Sequence, residues 1–141
     1  MSEQQVTYFE AMGGHAFFDD LVAEFYRGVA DDAELRSMYP EEDLAPAQER
    51  LLLFLEQYWG GPSTYSDSRG HPRLRMRHFP YAVTPRMRDA WLHHMLAGID
   101  IVGPRHGLDP HLDATLRDYL TRAAWSMVNS EEGQPAPAHR M

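Results

Sequence analysis

Six of the 13 basic residues, all of them arginines, fall between Arg69 and Arg88 with no acidic residue among them, in a chain whose formal net charge is −8. The rest of the chain, with seven arginines against 21 acidic residues, therefore carries −14. Within the basic cluster sits His78, preceded by Arg73, Arg75 and Arg77 and followed by Phe79 and Pro80. An imidazole is a metal ligand or a proton carrier. Guanidiniums grip carboxylates or phosphates through paired N–H donors. Together these residue types point to a bound anionic ligand.

Composition narrows the choice. The chain has 141 residues, enough for one domain with a real core. It has no cysteine, which excludes disulfides, a thiolate nucleophile, and zinc or iron–sulfur sites built on sulfur. No secretory signal pattern or membrane-length apolar run occurs, so a soluble, cytoplasmic protein is expected. There is no phosphate-loop or dinucleotide glycine fingerprint. Nucleic-acid binding by the arginine cluster is disfavoured by the acidic remainder and by the scarcity of stacking aromatics within the cluster.

The elements that must position the cluster are helical throughout. Phe18, Leu21, Val22, Phe25, Tyr26 and Val29 recur at three and four after Gly13 and Gly14, a buried stripe that ends at Asp31 and Asp32. A second helix follows Pro46, with Leu51, Phe54, Leu55 and Tyr58 on one side, and stops at Gly60-Gly61-Pro62. The pairs Thr84-Pro85 and Asp109-Pro110 each read as an N-cap followed by proline at the first helical position. The helices they open should run to about Val102 and Asn129. The first carries Trp91, Leu92, Met95, Ile99 and Val102 on its apolar side, and the second Leu112, Leu116, Tyr119, Leu120, Ala123 and Met127. Between residues 60 and 83 lies an irregular stretch rich in Gly, Pro, Ser and Arg, of a length that is usually functional or disordered. It holds the Arg/His cluster. The end of the chain, with its Pro-Ala-Pro-Ala run, reads as a flexible tail over residues 131–141 after a domain spanning 1–130.

Helices around an arginine-flanked histidine suit a flat, dianionic, iron-containing cofactor, haem b (iron protoporphyrin IX). Haem needs an axial nitrogen, apolar walls on both faces of the macrocycle, and cations for its propionates. His78 supplies the nitrogen. Leu51, Phe54, Leu55, Met76, Phe79 and Met95 are candidates for the walls, and Arg73 and Arg77 for the propionates. His71, His93, His94, His106, His111 and His139 are expected to face solvent.

The residues then form a pattern. Gly13-Gly14, Phe25-Tyr26, Leu35 to Leu44 (Leu-Arg-Ser-Met-Tyr-Pro-Glu-Glu-Asp-Leu), Phe54 to Pro62 (Phe-Leu-Glu-Gln-Tyr-Trp-Gly-Gly-Pro), Gly70 to His78 (Gly-His-Pro-Arg-Leu-Arg-Met-Arg-His), and Asp89-Ala90-Trp91-Leu92 occur in that order. Over residues 8 to 129 the chain resembles a truncated haemoglobin of the second group, most closely the actinobacterial members. The resemblance implies an all-α truncated globin fold, a two-over-two helical sandwich around haem, with His78 as the proximal iron ligand. It implies distal ligand contacts from Tyr26, Tyr39 and Trp91, with Ala47 at the gate position where oxygen carriers have histidine. Such a pocket would hold dioxygen tightly and release it slowly, because phenol and indole donors stabilise the negative character of the bound ligand.

Three kinds of function follow from the resemblance. The protein would oxidise nitric oxide or turn over peroxide as an enzyme, scavenge oxygen as a binding protein, or act as an oxygen or redox sensor. Carbon monoxide would be a further ligand. Without a nucleotide motif, sustained turnover needs an external electron donor. A homodimer is the family's habit.

Overall fold

The structure, a computed structural model, describes residues 6–40, 42–70, 78 and 82–132, and every regular element among them is helical. A short helix α1 (Tyr8–Met12) is capped by Thr7, whose side chain accepts from the Glu10 N–H at 3.1 Å. Gly13, left-handed at φ 119°, ends α1 and opens α2 (Gly14–Asp31). A Cβ there would also lie 2.9 Å from that of Phe17, so the corner requires glycine for conformation and for space. Helix α2 buries Phe17, Phe18, Leu21, Val22, Phe25 and Val29 completely, each burial stabilising by about 1.5–3 kcal/mol. Phe17 extends the expected stripe by one position.

Asp32 closes α2 and begins α3 (Ala33–Arg36), accepting from the Leu35 N–H at 3.1 Å. Helix α4 (Ala45–Tyr58) starts with Pro46 in its first turn and ends before the left-handed Gly60, close to expectation. Leu55 is buried on its inner side, but Leu51 and Phe54 are only half-buried because they face a cavity. Tyr58, expected on the same side, is 51% exposed, its ring stacked on that of Tyr119 at 4.0 Å.

The stretch expected to be irregular contains α5 (Thr64–Arg69). Gln57 holds it, accepting from the Ser66 N–H at 2.9 Å and donating to the Ser66 hydroxyl at 2.7 Å. Helix α6 (Pro85–Arg105) is capped by Thr84, and α7 (Pro110–Met127) by Asp109, as the proline pairs predict. Helix α6 runs past Val102 because the His106 N–H reaches the Val102 carbonyl at 3.1 Å and bridges Pro104. Helix α7 stops at Met127, two residues short of the expected end. The Asn129 N–H turns away to donate to the Val83 carbonyl at 2.9 Å.

Helix α2 packs on α4 and α6, and α6 packs on α7, so one helix pair lies over the other around the core. Among the described residues no helix is long and apolar enough to cross a membrane. The expected tail lies, from residue 133, outside the described residues.

Candidate functional site

Where the two helix pairs meet, their apolar faces do not close. They leave a cavity of about 550 Å³, within the roughly 300–1,000 Å³ usual for small-molecule sites. Its wall comes from α2 (Tyr26), from α3 and the turn after it (Leu35, Met38, Tyr39, Pro40), from α4 (Ala47, Leu51, Phe54, Leu55) and from α6 (Met87, Trp91), while α7 supplies Tyr119, Leu120 and Met127. His78 is part of the same wall. The lining is largely hydrocarbon and aromatic, with an imidazole, phenols, an indole and arginines at separate points.

Tyr26, Tyr39 and Trp91, far apart in sequence, are brought together. Tyr26 is 6% exposed, and its ring meets that of Tyr39 at 5.7 Å and that of Phe25 at 4.9 Å, both edge-on. Phe25 in turn meets Trp91 at 5.4 Å. The α2 stripe thus acts as a hub: its fully buried phenylalanine separates and orients the phenol and the indole. Ala47 is also in the wall, 3% exposed, in the first turn of α4.

His78 is exposed at the cavity, and its backbone carbonyl accepts from Asn129 Nδ2 at 3.3 Å. Asn129 also ties the start of α6, because its Oδ1 accepts from the Val83 N–H at 2.9 Å. The chain leaving α7 therefore ties the backbone of His78 to the residue before Thr84.

Among the expected wall residues, Leu51, Phe54 and Leu55 line the cavity. Met95 does not. It is one helical turn beyond Trp91 on α6, packed at 0% exposure in the core past the end of the cavity. Met76, Phe79, Arg73 and Arg77 lie outside the described residues.

Three other arginines, Arg50, Arg69 and Arg88, are in the wall. Arg88 has a side chain 12% exposed, its guanidinium 3.8 Å from the Trp125 ring centre and its Nε donating to Asp89 at 2.9 Å. Arg69 lies beside Tyr65, 6.0 Å from the ring centre. Arg69 and Arg88 belong to the basic cluster that drew attention in the sequence. Arg50 had no such signal, being one charge on an amphipathic helix. Tyr119 was visible only as part of an apolar stripe, and burial, with Tyr58 beside it, pushes its phenol well above the ordinary value.

The histidines expected to face solvent divide. His93 and His111 do so. His94 and His106 are only 18% and 21% exposed and bond Asp32 at 2.8 Å and Asp20 at 3.0 Å. Each joins α6 to α2 or to its end. His71 and His139 lie outside the described residues.

The donor set suits haem. A macrocycle needs an apolar slot, an imidazole and cations, and the wall contains all three: the apolar side chains, His78, which could hold iron, and the guanidiniums of Arg50, Arg69 and Arg88.

Comparison with known proteins agrees. Residues 7–129 match the family of bacterial-like globins. The chain is 36% identical over 126 residues to a group 2 truncated haemoglobin of Bacillus subtilis, covering 89% of this chain and 91% of that protein. A thermostable haemoglobin from the actinobacterium Thermobifida fusca superposes with a TM-score of 0.83 at 57% identity, over 88% of this chain and 98% of that one. A truncated oxygen-avid haemoglobin from Bacillus subtilis superposes with a TM-score of 0.80 at 36% identity, over 88% of this chain and all of that one, 100%. The chain belongs to the bacterial-like globins and is a group II truncated haemoglobin of the two-over-two fold, which binds haem b and, through it, dioxygen.

Proposed function

We propose that this globin holds dioxygen tightly and spends it on the oxidation of nitric oxide to nitrate. The observation that carries the reading is the convergence of Tyr26, Tyr39 and Trp91 on one largely apolar cavity. Ferrous haem, when bound, donates electron density that gives dioxygen negative character. The chain then has two tasks. His78 supplies the proximal nitrogen, and the two phenols and the indole offer hydrogen bonds to the negative ligand in a site where few waters compete. Each such bond is worth more here than in water, because the surroundings are of low dielectric. The Ala47 side chain has no polar atom, so the gate position adds size selection and no side-chain donor.

Tight holding suits delivery poorly, since a carrier must let go. It suits a reaction in which the second reactant comes to the first. Nitric oxide is small and apolar enough to enter past Ala47. One nitric oxide, one dioxygen and one electron give one nitrate, so the cycle requires an external electron donor in the cytoplasm. The oxygen-avid character described for the Bacillus subtilis structure supports the tight-binding half of this reading.

The test is turnover. With catalytic amounts of protein, a ferredoxin or flavin reductase and reduced nicotinamide, nitrate should accumulate well beyond one equivalent per haem and in step with nitric oxide consumed. An end at one equivalent with every reductase tried would overturn the catalytic reading and leave a scavenger. Faster turnover of peroxide than of nitric oxide under the same conditions would also overturn it. For the proximal ligand, His78→Gly should lose haem unless imidazole is added, and normal retention without imidazole would refute that assignment.

A further inference from the structure

The three residues proposed as distal donors stand on three separate elements, α2, the turn after α3, and α6, and something outside the cavity must hold those elements in register. One side chain ties α6 to α2 and to the carboxylate that starts α3. His94, one turn beyond Trp91 on α6, donates from Nε2 to Asp32 Oδ2 at 2.8 Å. The other oxygen of the same carboxylate caps α3 by accepting from the Leu35 N–H at 3.1 Å. The His94 ring also rests on Gly28 of α2, so closely that a Cβ there would lie 2.4 Å from Nδ1 and 3.1 Å from Cγ. Gly28 is two residues from Tyr26, and Leu35 lies four before Tyr39.

Gly28 is the informative residue. It is in the interior of an 18-residue helix, where glycine is the poorest former after proline. Its backbone is not left-handed, so no turn requires it. What does require it is the imidazole that fills the space a methyl group would take. The neighbouring link between α3 and α6, Arg86 to Glu34 at 2.8 Å, joins side chains 69% and 46% exposed and is by comparison a weak tie.

We propose that His94, seated on Gly28 and bonded to Asp32, is a positioning residue that sets the spacing of Tyr26, Tyr39 and Trp91 around the iron-bound ligand. The proposal rests on the donor reading of those three residues. It makes His94 a device of the distal pocket that never touches ligand. The bond to Asp32 fixes the start of α3, hence the turn that presents Tyr39. The seat on Gly28 fixes the separation of α2 from α6, hence that of Tyr26 from Trp91.

Two kinds of variant test it. A glutamine amide reaches the place of Nε2, whereas an asparagine amide falls near Nδ1 and cannot span to Asp32. Gly28→Ala leaves the imidazole in the chain but removes its seat, while improving helix propensity, and its thermal melt beside the parent's separates an effect on the pocket from loss of the fold. The readouts are the carbon monoxide stretching band of the ferrous adduct, which reports donors near the ligand, and the dioxygen dissociation rate. His94→Ala, His94→Asn and Gly28→Ala should split or shift the band and raise the rate by about three- to tenfold, less than loss of a whole donor. His94→Gln should keep the parental band and a rate within about twofold of it. Parental bands and rates in both His94→Ala and Gly28→Ala would overturn the proposal, as would failure of His94→Gln to differ from His94→Asn. Tyr26→Phe and Trp91→Phe serve as references. If they too leave band and rate unchanged, the donor reading falls and takes this one with it. If they change them while the joint variants do not, the joint alone falls.

Discussion

Replacing Tyr26 with phenylalanine removes the phenol hydroxyl and keeps the ring. The ring is 6% exposed and held edge-on by Phe25 at 4.9 Å and Tyr39 at 5.7 Å, contacts that a phenyl ring makes equally well. The ring packing should therefore be kept, the fold should change by no more than one hydrogen bond contributes, about 0.5–1.5 kcal/mol, and the larger effect should appear on the ligand. A hydrogen bond to a charged group contributes about 1.5–3 kcal/mol. Each 1.4 kcal/mol is a factor of about ten, so dioxygen should leave about 10- to 150-fold faster. Rapid mixing of the oxygenated protein with excess carbon monoxide reads that rate directly. Trp91→Phe should act in the same direction. Because Phe25 touches both rings, the double variant should depart from additivity by about 0.5–3 kcal/mol. If both single variants and the double release dioxygen within about twofold of the parent, the distal reading is wrong, whatever the resemblance implies.

Other perturbations test different parts of the structure. Ala47→Leu puts three more carbons into a wall position that is 3% exposed; it should slow carbon monoxide association after flash photolysis by about fivefold, with an overpacking cost of about 1–3 kcal/mol. Leu116→Ala opens a hole in the core at a residue with 0% exposure and no part in the cavity. It should cost about 2–5 kcal/mol and lower the melting temperature by on the order of 10 °C, with the dioxygen rate unchanged. Asn129→Ala removes the Nδ2 donor to the His78 carbonyl and the acceptor of the Val83 N–H, and haem transfer to an excess of apomyoglobin should speed by about tenfold on the scale of one or two lost hydrogen bonds. In Asp20, partial burial raises the carboxyl but hydrogen bonds from His106 and Arg105 outweigh it and hold the group below its ordinary value. A depressed carboxyl contributes stability that is present above its unfolded value, about 3.9, and is lost as pH falls through the folded value. Asp20→Asn should therefore flatten the dependence of urea stability on pH below about 4 and leave a smaller difference between pH 6 and pH 3 than the parent shows.

How much of this was legible in the sequence depended on whether the cause was local. Thr84-Pro85 and Asp109-Pro110 state the starts of α6 and α7 in two residues each, and the structure agrees. The α2 stripe was equally plain, because many buried side chains repeat one period. The short helices were not. Helix α3 has four residues and α5 has six, too few to be stable from propensity alone; each exists because a distant or preceding side chain, Asp32 or Gln57, satisfies its first N–H groups. That Met95 lies in the core and not in the cavity wall was illegible for a related reason. Helical spacing puts it on the same face as Trp91, but periodicity says nothing of where along the helix a cavity ends.

The site divides along the same line. Arg69, Arg88 and His78 were visible as a basic cluster in an acidic chain, whereas Tyr26, Tyr39 and Trp91 looked like core aromatics until a resemblance gave them roles. The pairing of Gly28 with His94, 66 positions apart, had no sequence signal of its own. An interior glycine in a helix is an unfavourable choice by about 1 kcal/mol relative to alanine, and a half-buried histidine beside an aspartate reads as an ordinary ion pair. Only their contact makes each explain the other. Such a cost is retained where an alanine would do harm, and the harm here would fall on the separation of α2 and α6. On the proposed reading that is the separation between Tyr26 and Trp91 at the ligand, so Gly28→Ala, which improves helix propensity but displaces the imidazole, should be the substitution that loosens the grip on dioxygen.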